Sequence, residues 1–156
     1  MPTAKLKKFL DDNQVRYLTI QHSPAFTIQE VAAQMHIHGW ELAKTTILKA
    51  DGKFVMAVLP APCRVDLERM RSLAGAGSVA LATEAEFRSL FPECELGAMP
   101  PCGNLYGLPV YVDGRLREDK SIVFNAGTHT EAIRMDYGDF ERLVEPTVGS
   151  FAVRAR

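Results

Sequence analysis

Apolar positions at the start of the chain recur with helical spacing. Leu6, Phe9 and Leu10 stand at i, i+3 and i+4 and predict a helix over residues 3–13. A run of β-forming residues at 15–21 predicts a strand. Thr27-Ile28-Gln29-Glu30 has the form of a capping box, with Phe26 and Val31 placed as a hydrophobic staple. The helix it starts buries Ile28, Val31, Ala32 and Met35, and Gly39 marks its expected end. Residues 43–50 and 53–60 flank Asp51-Gly52, the short-range signature of a two-residue hairpin loop. In that register Ala50 faces Lys53 and Lys44 faces Leu59. Lys44, Thr46, Leu48, Val55, Ala57 and Leu59 then share one face, with Lys44 at the end away from the turn.

Further on, Asp66 caps a helix that carries Leu67, Met70, Leu73 and Ala74 and closes at Gly75. Residues 79–82 read as a strand. Thr83-Glu84-Ala85-Glu86 is a second capping box, opening a helix to Leu90 that Pro92 stops. Residues 97–103 are a loop by composition. Strands are expected at 108–113, 121–125 and 130–136, the last two joined by a turn at Ala126-Gly127, and a short helix at 137–144 uses Phe140, Leu143 and Val144. Hairpins mixed with helices predict an α+β fold with a mixed, mostly antiparallel curved sheet.

Composition adds limits. The 156 residues are 47% hydrophobic and 24% charged, ordinary for a globular chain. No apolar run reaches the roughly 18 residues of a membrane span, and the basic N-terminus lacks the apolar stretch of a secretory signal. With three cysteines, Cys63, Cys94 and Cys102, the expectation is a reduced, cytoplasmic protein. The net charge of −1 excludes a strongly basic nucleic-acid coat. Residues 1–71 hold ten basic and seven acidic side chains, net +3, and residues 72–156 hold eight and twelve, net −4. Lys5, Lys7, Lys8, Lys49 and Lys53 could form a modest basic face, or simply a solvated surface.

Three places carry candidate chemistry. Lys44 on an apolar strand face either snorkels to solvent or presents a fixed cation to an anionic or carbonyl group. Gly97-Ala98-Met99-Pro100-Pro101-Cys102-Gly103 is either a rigid surface turn or a loop that offers main-chain groups to a substrate. Asn125-Ala126-Gly127-Thr128-His129 places an amide and an imidazole around small residues, as an ordinary turn or as a wall of a site. A nucleophilic Cys102 working with His129 is a separate possibility, although nothing nearby in sequence makes it a thiolate. His36-Ile37-His38 has no Cys or carboxylate at ligand spacing, and seven residues separate Cys94 from Cys102, so no metal is expected.

Taken together, Phe26-Thr27-Ile28-Gln29-Glu30-Val31-Ala32, the segment 43–52 beginning Ala43-Lys44-Thr45-Thr46, the loop 97–103 and Phe124-Asn125-Ala126-Gly127-Thr128-His129 give the chain a resemblance. It resembles the YbaK/ProX superfamily of aminoacyl-tRNA deacylases, which includes free-standing prolyl-tRNA editing proteins and the insertion domain of bacterial prolyl-tRNA synthetases. The resemblance implies one domain over residues 1–156 with a mixed α+β fold. It implies a trans-acting deacylase that hydrolyses the ester of a mischarged tRNA, tRNA-Pro or another tRNA carrying a small amino acid. A non-catalytic tRNA- or nucleotide-binding module of the same fold is the alternative. By the same resemblance Lys44, Gly97 and Gly103 are the catalytic positions. Thr45, Thr46, Ala98, Met99, Pro100, Pro101, Asn125, Gly127 and His129 bind substrate, and the role of His129 is open between catalysis and shaping the pocket. The implied partner is the acceptor end of aminoacyl-tRNA, with an aminoacyl-tRNA synthetase as a further one, and no DNA, membrane or cofactor. The family is thought to recruit the substrate's own 2′-hydroxyl. Thr45 stands where some alanine-specific members carry Asn.

Overall fold

The computed structural model describes residues 2–23, 27–34 and 36–154. Helix α1 (Pro2–Asp12) buries Leu6 and Leu10 completely and Phe9 in part. It ends in a left-handed residue, Gln14, with the Val15 N–H returning to the Leu10 carbonyl. That closure keeps Val15 out of the strand expected from 15–21, so β1 is shorter (Tyr17–Gln21).

Helix α2 (Ile28–Gln34) starts at the expected capping box, in which Glu30 N–H donates to Thr27 Oγ1 and Thr27 N–H donates to Glu30 Oε1. Of its expected stripe, Ala32 is buried. Phe26 and Met35, and the side chains of Ile28 and Val31, lie outside the described residues. Gly39 does not end the helix. His36 takes the left-handed position, with Ile37 N–H bonded to the Ala32 carbonyl, and Gly39 opens a 3-10 turn (Gly39–Glu41).

Strands β2 (Ala43–Ala50) and β3 (Lys53–Pro60) form the expected hairpin in the expected register, Lys44 opposite Leu59 and Ala50 opposite Lys53. Both loop residues have positive φ, 51° at Asp51 and 81° at Gly52. Strand β4 (Cys63–Val65) leads into α3 (Leu67–Ala74), capped by Asp66 and closed by Gly75. Then come β5 (Val79–Leu81) and α4 (Glu84–Phe87), whose capping box is complete and whose second half tightens to a 3-10 turn at Arg88–Leu90. Strand β6 (Val110–Asp113), β7 (Ser121–Thr128), β8 (Glu131–Asp136) and α5 (Tyr137–Val144) follow, then two short strands, β9 (Thr147–Gly149) and β10 (Ala152–Arg154).

The strands make a five-stranded mixed sheet, β5-β2-β3-β6-β9, an antiparallel three-stranded sheet, β1-β8-β7, and the pair β4-β10. Only β3-β6 and β6-β9 are parallel. A single bridge between Leu42 and Val123 joins the two larger sheets just before β2. The main core fills the space between them, with Ile47, Met56, Val58 and Val112 from one side and Ile122, Phe124 and Ile133 from the other, closed by α1 and α5. A second cluster, Leu48, Val55, Ala57, Leu59, Met70 and Phe151, covers the opposite face of the hairpin, the face that also carries Lys44.

The turn expected at Ala126-Gly127 is a bulge instead. Asn125 pairs with Ala132, and the next pair is Thr128 with Glu131, so two extra residues stand out of the ladder. Their backbone is satisfied sideways: Gly127 N–H donates to the Ala98 carbonyl (2.8 Å) and the Gly127 carbonyl accepts from Glu95 N–H (2.9 Å). The strand therefore continues, and the chain reverses at His129-Thr130.

Candidate functional site

A cavity of about 450 Å³ opens at the seam where β2 and β7 diverge, beside the Leu42–Val123 bridge. Lys44 and Thr45 enter it from β2, Asn125 from β7, Gly97 and Met99 from the loop, and His129 from the β7-β8 turn. Six of the twelve expected site residues thus come together. Thr46, Ala98, Pro100, Pro101, Gly103 and Gly127 do not line it. Ala98 and Pro100 to Gly103 are packed inward, so this stretch of the loop is not an exposed turn. A Cβ on Gly103 would lie 2.7 Å from Val110 Cγ2 and 3.3 Å from the Leu108 carbonyl, which gives this glycine a packing role. The lining that sequence reasoning missed is mostly apolar: Leu42, Ala43, Ala61, Val123 and Phe124, with Thr27 and Gln29 at one side. Thr27 was visible in the sequence only as a helix cap. Leu42 and Val123 owe their place to a bridge between segments 81 residues apart in the chain, which no local pattern encodes.

Among the described residues lining the cavity, Lys44 is the only formally charged one when His129 is neutral. It has no ion pair or hydrogen bond among the described residues, whereas Lys7, Lys8 and Lys49 are paired with Glu131, Asp12 and Glu86. Burial lowers the pKa of the Lys44 ammonium from its usual value, with Cys63 acting in the opposite sense. Three of the five lysines of the expected basic face are thus paired, while Lys44, outside that set and half-buried, is left without a counter-ion among the described residues.

Opposite the cation is an unspent acceptor. Asn125 Oδ1 is buried and finds no donor. Around the loop, the N–H groups of Gly97 and Met99 have no backbone partner among the described residues. The loop is held in place by the bulge and by His129, whose Nε2 lies 2.7 Å from the Leu96 carbonyl. A carbonyl only accepts, so Nε2 carries the proton and donates, and Nδ1 of the neutral ring is an acceptor. His129 is therefore spent in clamping the loop next to Gly97, whose φ of 82° is open chiefly to glycine.

The thiol alternative fails on burial. Cys102 is 1% exposed, and burial pushes its pKa up to about 12, the reverse of what a nucleophile needs. Among the described residues, no three His, Cys, Asp or Glu side chains gather as metal ligands, and no helix is long and apolar enough to cross a membrane.

The chain is similar over 86 residues to proline–tRNA ligases of Bacillus cytotoxicus (34% identity) and Bacillus mycoides (28%). That stretch is 55% of this chain but only 15% of either ligase. Among solved structures, the fold matches a hypothetical protein with a TM-score of 0.85 at 21% identity, covering 96% of this chain and 99% of the other. It also matches a structure described as a candidate trans-editing enzyme for prolyl tRNA synthetase, with a TM-score of 0.84 at 18% identity and 97% coverage of each chain. The model of the aminoacyl-tRNA editing domain matches residues 22–143, a span that contains the hairpin, the loop and the bulge around the cavity, and the chain belongs to that family.

Proposed function

We propose that residues 1–156 act as one trans-acting deacylase domain, hydrolysing the ester between a small amino acid and the terminal ribose of a mischarged tRNA, with tRNA-Pro the first candidate. The observation that carries the reading is the unpaired Lys44 ammonium in a cavity whose other buried polar group, Asn125 Oδ1, lacks a donor. A cation without a counter-ion suits a phosphate or ester carbonyl oxygen. An acceptor without a donor suits the substrate's α-ammonium group. Leu42, Ala43, Met99, Val123 and Phe124 then surround the amino-acid side chain and exclude large ones.

In the proposed mechanism Lys44 and the free N–H groups of Gly97 and Met99 stabilise the oxyanion that develops on the ester carbonyl. No carboxylate or thiol lines the cavity among the described residues. The substrate's 2′-hydroxyl is therefore assigned the task of activating the attacking water. His129 acts through the loop rather than on the reacting atoms. The match to a candidate trans-editing enzyme over nearly the whole of both chains supports action in trans, and the similarity to proline–tRNA ligases supports tRNA-Pro.

The test is a deacylation panel with tRNA-Pro charged with Ala, Cys, Ser, Thr or Pro, together with cognate Ala-, Cys-, Ser- and Thr-tRNAs. Loss of one or two of these esters is expected, and replacing the terminal 2′-hydroxyl by hydrogen should remove that loss. The lack of a carboxylate or thiol at the cavity among the described residues also favours a second reading, a module that binds tRNA without hydrolysis. A flat panel with tRNA still bound would establish it.

A further inference from the structure

A second cavity, of about 470 Å³, is lined by Trp40, Arg115, Glu118, Asp119 and Arg154. Buried Cys63 neighbours residues of both sites. Arg115 Nη1 lies 3.5 Å from Cys63 Sγ, Arg154 is the β10 partner of Cys63, and Cys63 acts on the Lys44 ammonium. Trp40 itself precedes Lys44 by four residues, a span of at most about 14 Å. One strand end can therefore touch both cavities.

The residues fit a single-stranded nucleic acid. The Arg115 guanidinium carbon stands 5.4 Å from the centroid of the Trp40 ring, so indole and guanidinium form a layered, charged platform. Bases stack on aromatic rings and on arginine planes alike. Neither Arg115 nor Arg154 has an ion pair with a carboxylate among the described residues, although Glu118 and Asp119 line the same cavity, and both keep donors for phosphates beyond the contact of Arg115 with Cys63. Asp119 adds a carboxylate whose Oδ2 has no donor. A carboxylate next to a stacking platform accepts from the amino group of a base, as from cytosine N4.

We propose that Trp40, Arg115 and Arg154 form a platform for the unpaired 3′ nucleotides of the tRNA acceptor end, next to the terminal ribose held at Lys44. The proposal rests on the deacylase reading for the identity of the strand, but its physical content, stacking plus phosphate contact, is measured without catalysis.

Trp40 is the only tryptophan in the chain, so intrinsic tryptophan fluorescence reports on the platform alone. A short uncharged RNA ending in CCA is titrated into the full chain, with tryptophan emission and the anisotropy of labelled RNA read together. The expected result is a saturable change in emission with the same midpoint as the anisotropy, weakened by added salt. Arg154→Ala and Arg115→Ala should each lower the affinity, and Trp40→Leu should do so by roughly 5- to 150-fold, the range for losing one base-stacking side chain. Arg154 is exposed, so its variant tests the proposal even if Trp40→Leu fails to fold. Binding with silent Trp40 emission, binding unaffected by Arg154→Ala, equal affinity for a blunt RNA duplex, or no binding at low salt would each overturn the platform.

Hydrolysis separates this proposal from the one it rests on. Arg154→Ala should raise KM for aminoacyl-tRNA by a larger factor than KM for the minimal aminoacyl-adenosine, which lacks the nucleotides that reach the platform. If RNA shifts Trp40 emission while no ester is hydrolysed, the platform stands and the deacylase reading fails. If esters are hydrolysed and Arg154→Ala changes neither KM nor affinity, the deacylase reading stands and the platform fails.

Discussion

Lys44 is held in its cavity at a cost to the fold. Burial disfavours its ammonium, which lowers the folded-state pKa below the usual lysine value. At neutral pH the charged lysine therefore subtracts from stability, and the penalty fades as pH rises from the folded pKa to above the usual lysine value of 10.5. Lys44→Met keeps the apolar stem and removes the charge. It should leave Tm unchanged or raise it while deacylation is lost, a pairing that thermal denaturation and an activity assay read side by side. A drop in Tm would mark Lys44 as structural. Cys102 leads to the opposite expectation. Iodoacetamide applied to the folded protein should leave Cys63 and Cys102 unmodified by mass spectrometry, since both are buried, and should leave activity intact. Glu86 provides a pH marker away from the site. Hydrogen bonds from Lys49 and from Thr83 lower its pKa from the usual 4.5 to about 2. Folding favours its ionised form, so the stability it adds is complete above about pH 4.5 and is lost as pH falls toward 2. Glu86→Gln should lower Tm slightly at neutral pH, and the gap to the wild type should close over that acid window.

Among the elements, the hairpin β2-β3 places the cation, and its register was readable because Asp-Gly admits few turn geometries and strand faces alternate strictly. The bulge in β7 was not readable. Its backbone partners are Glu95 and Ala98, about thirty residues earlier, and no local pattern distinguishes a residue bonded sideways from one in a turn. The same limit applies to β4, β9 and β10, three residues each and too short to show alternation. Besides its ladder with β4, β10 is tied at its start by a single buried carboxylate. Asp113, 2% exposed, accepts from Phe151 N–H at 3.0 Å and Ala152 N–H at 2.8 Å through Oδ2, and from Arg115 N–H through Oδ1. Asp113→Ala strands the two buried donors and should cost about 2–6 kcal/mol, at roughly 1–3 kcal/mol for each. Urea denaturation measures this, and a cost below 1 kcal/mol would mean that the ladder with β4 holds β10 without Asp113.

The whole molecule places its candidate cavity where two sheets part and not within either one. Seen from the sequence, the three segments that carry Lys44, Gly97 and Asn125 were separate features, each with an ordinary structural explanation. The fold brings them together through one bridge, Leu42 to Val123, and through the cross-bonding of the loop to the bulge. Half of the expected site residues do not line the cavity. Gly103 and the two prolines shape the loop from inside the core, which composition alone cannot separate from contact with a ligand. The apolar wall was missed for the complementary reason: Val123 and Phe124 read as ordinary strand core, and their position at the edge of a cavity depends on where β2 leaves them uncovered.

The measurement that bears most directly on the central claim is the rate of amino-acid release from mischarged tRNA-Pro by the wild type and by Lys44→Ala, with the Tm of both proteins recorded in the same buffer. The account predicts hydrolysis by the wild type and a loss of roughly 10²–10³-fold in the variant, the scale for removing one oxyanion donor, with the fold intact. Equal rates from the two proteins would contradict it.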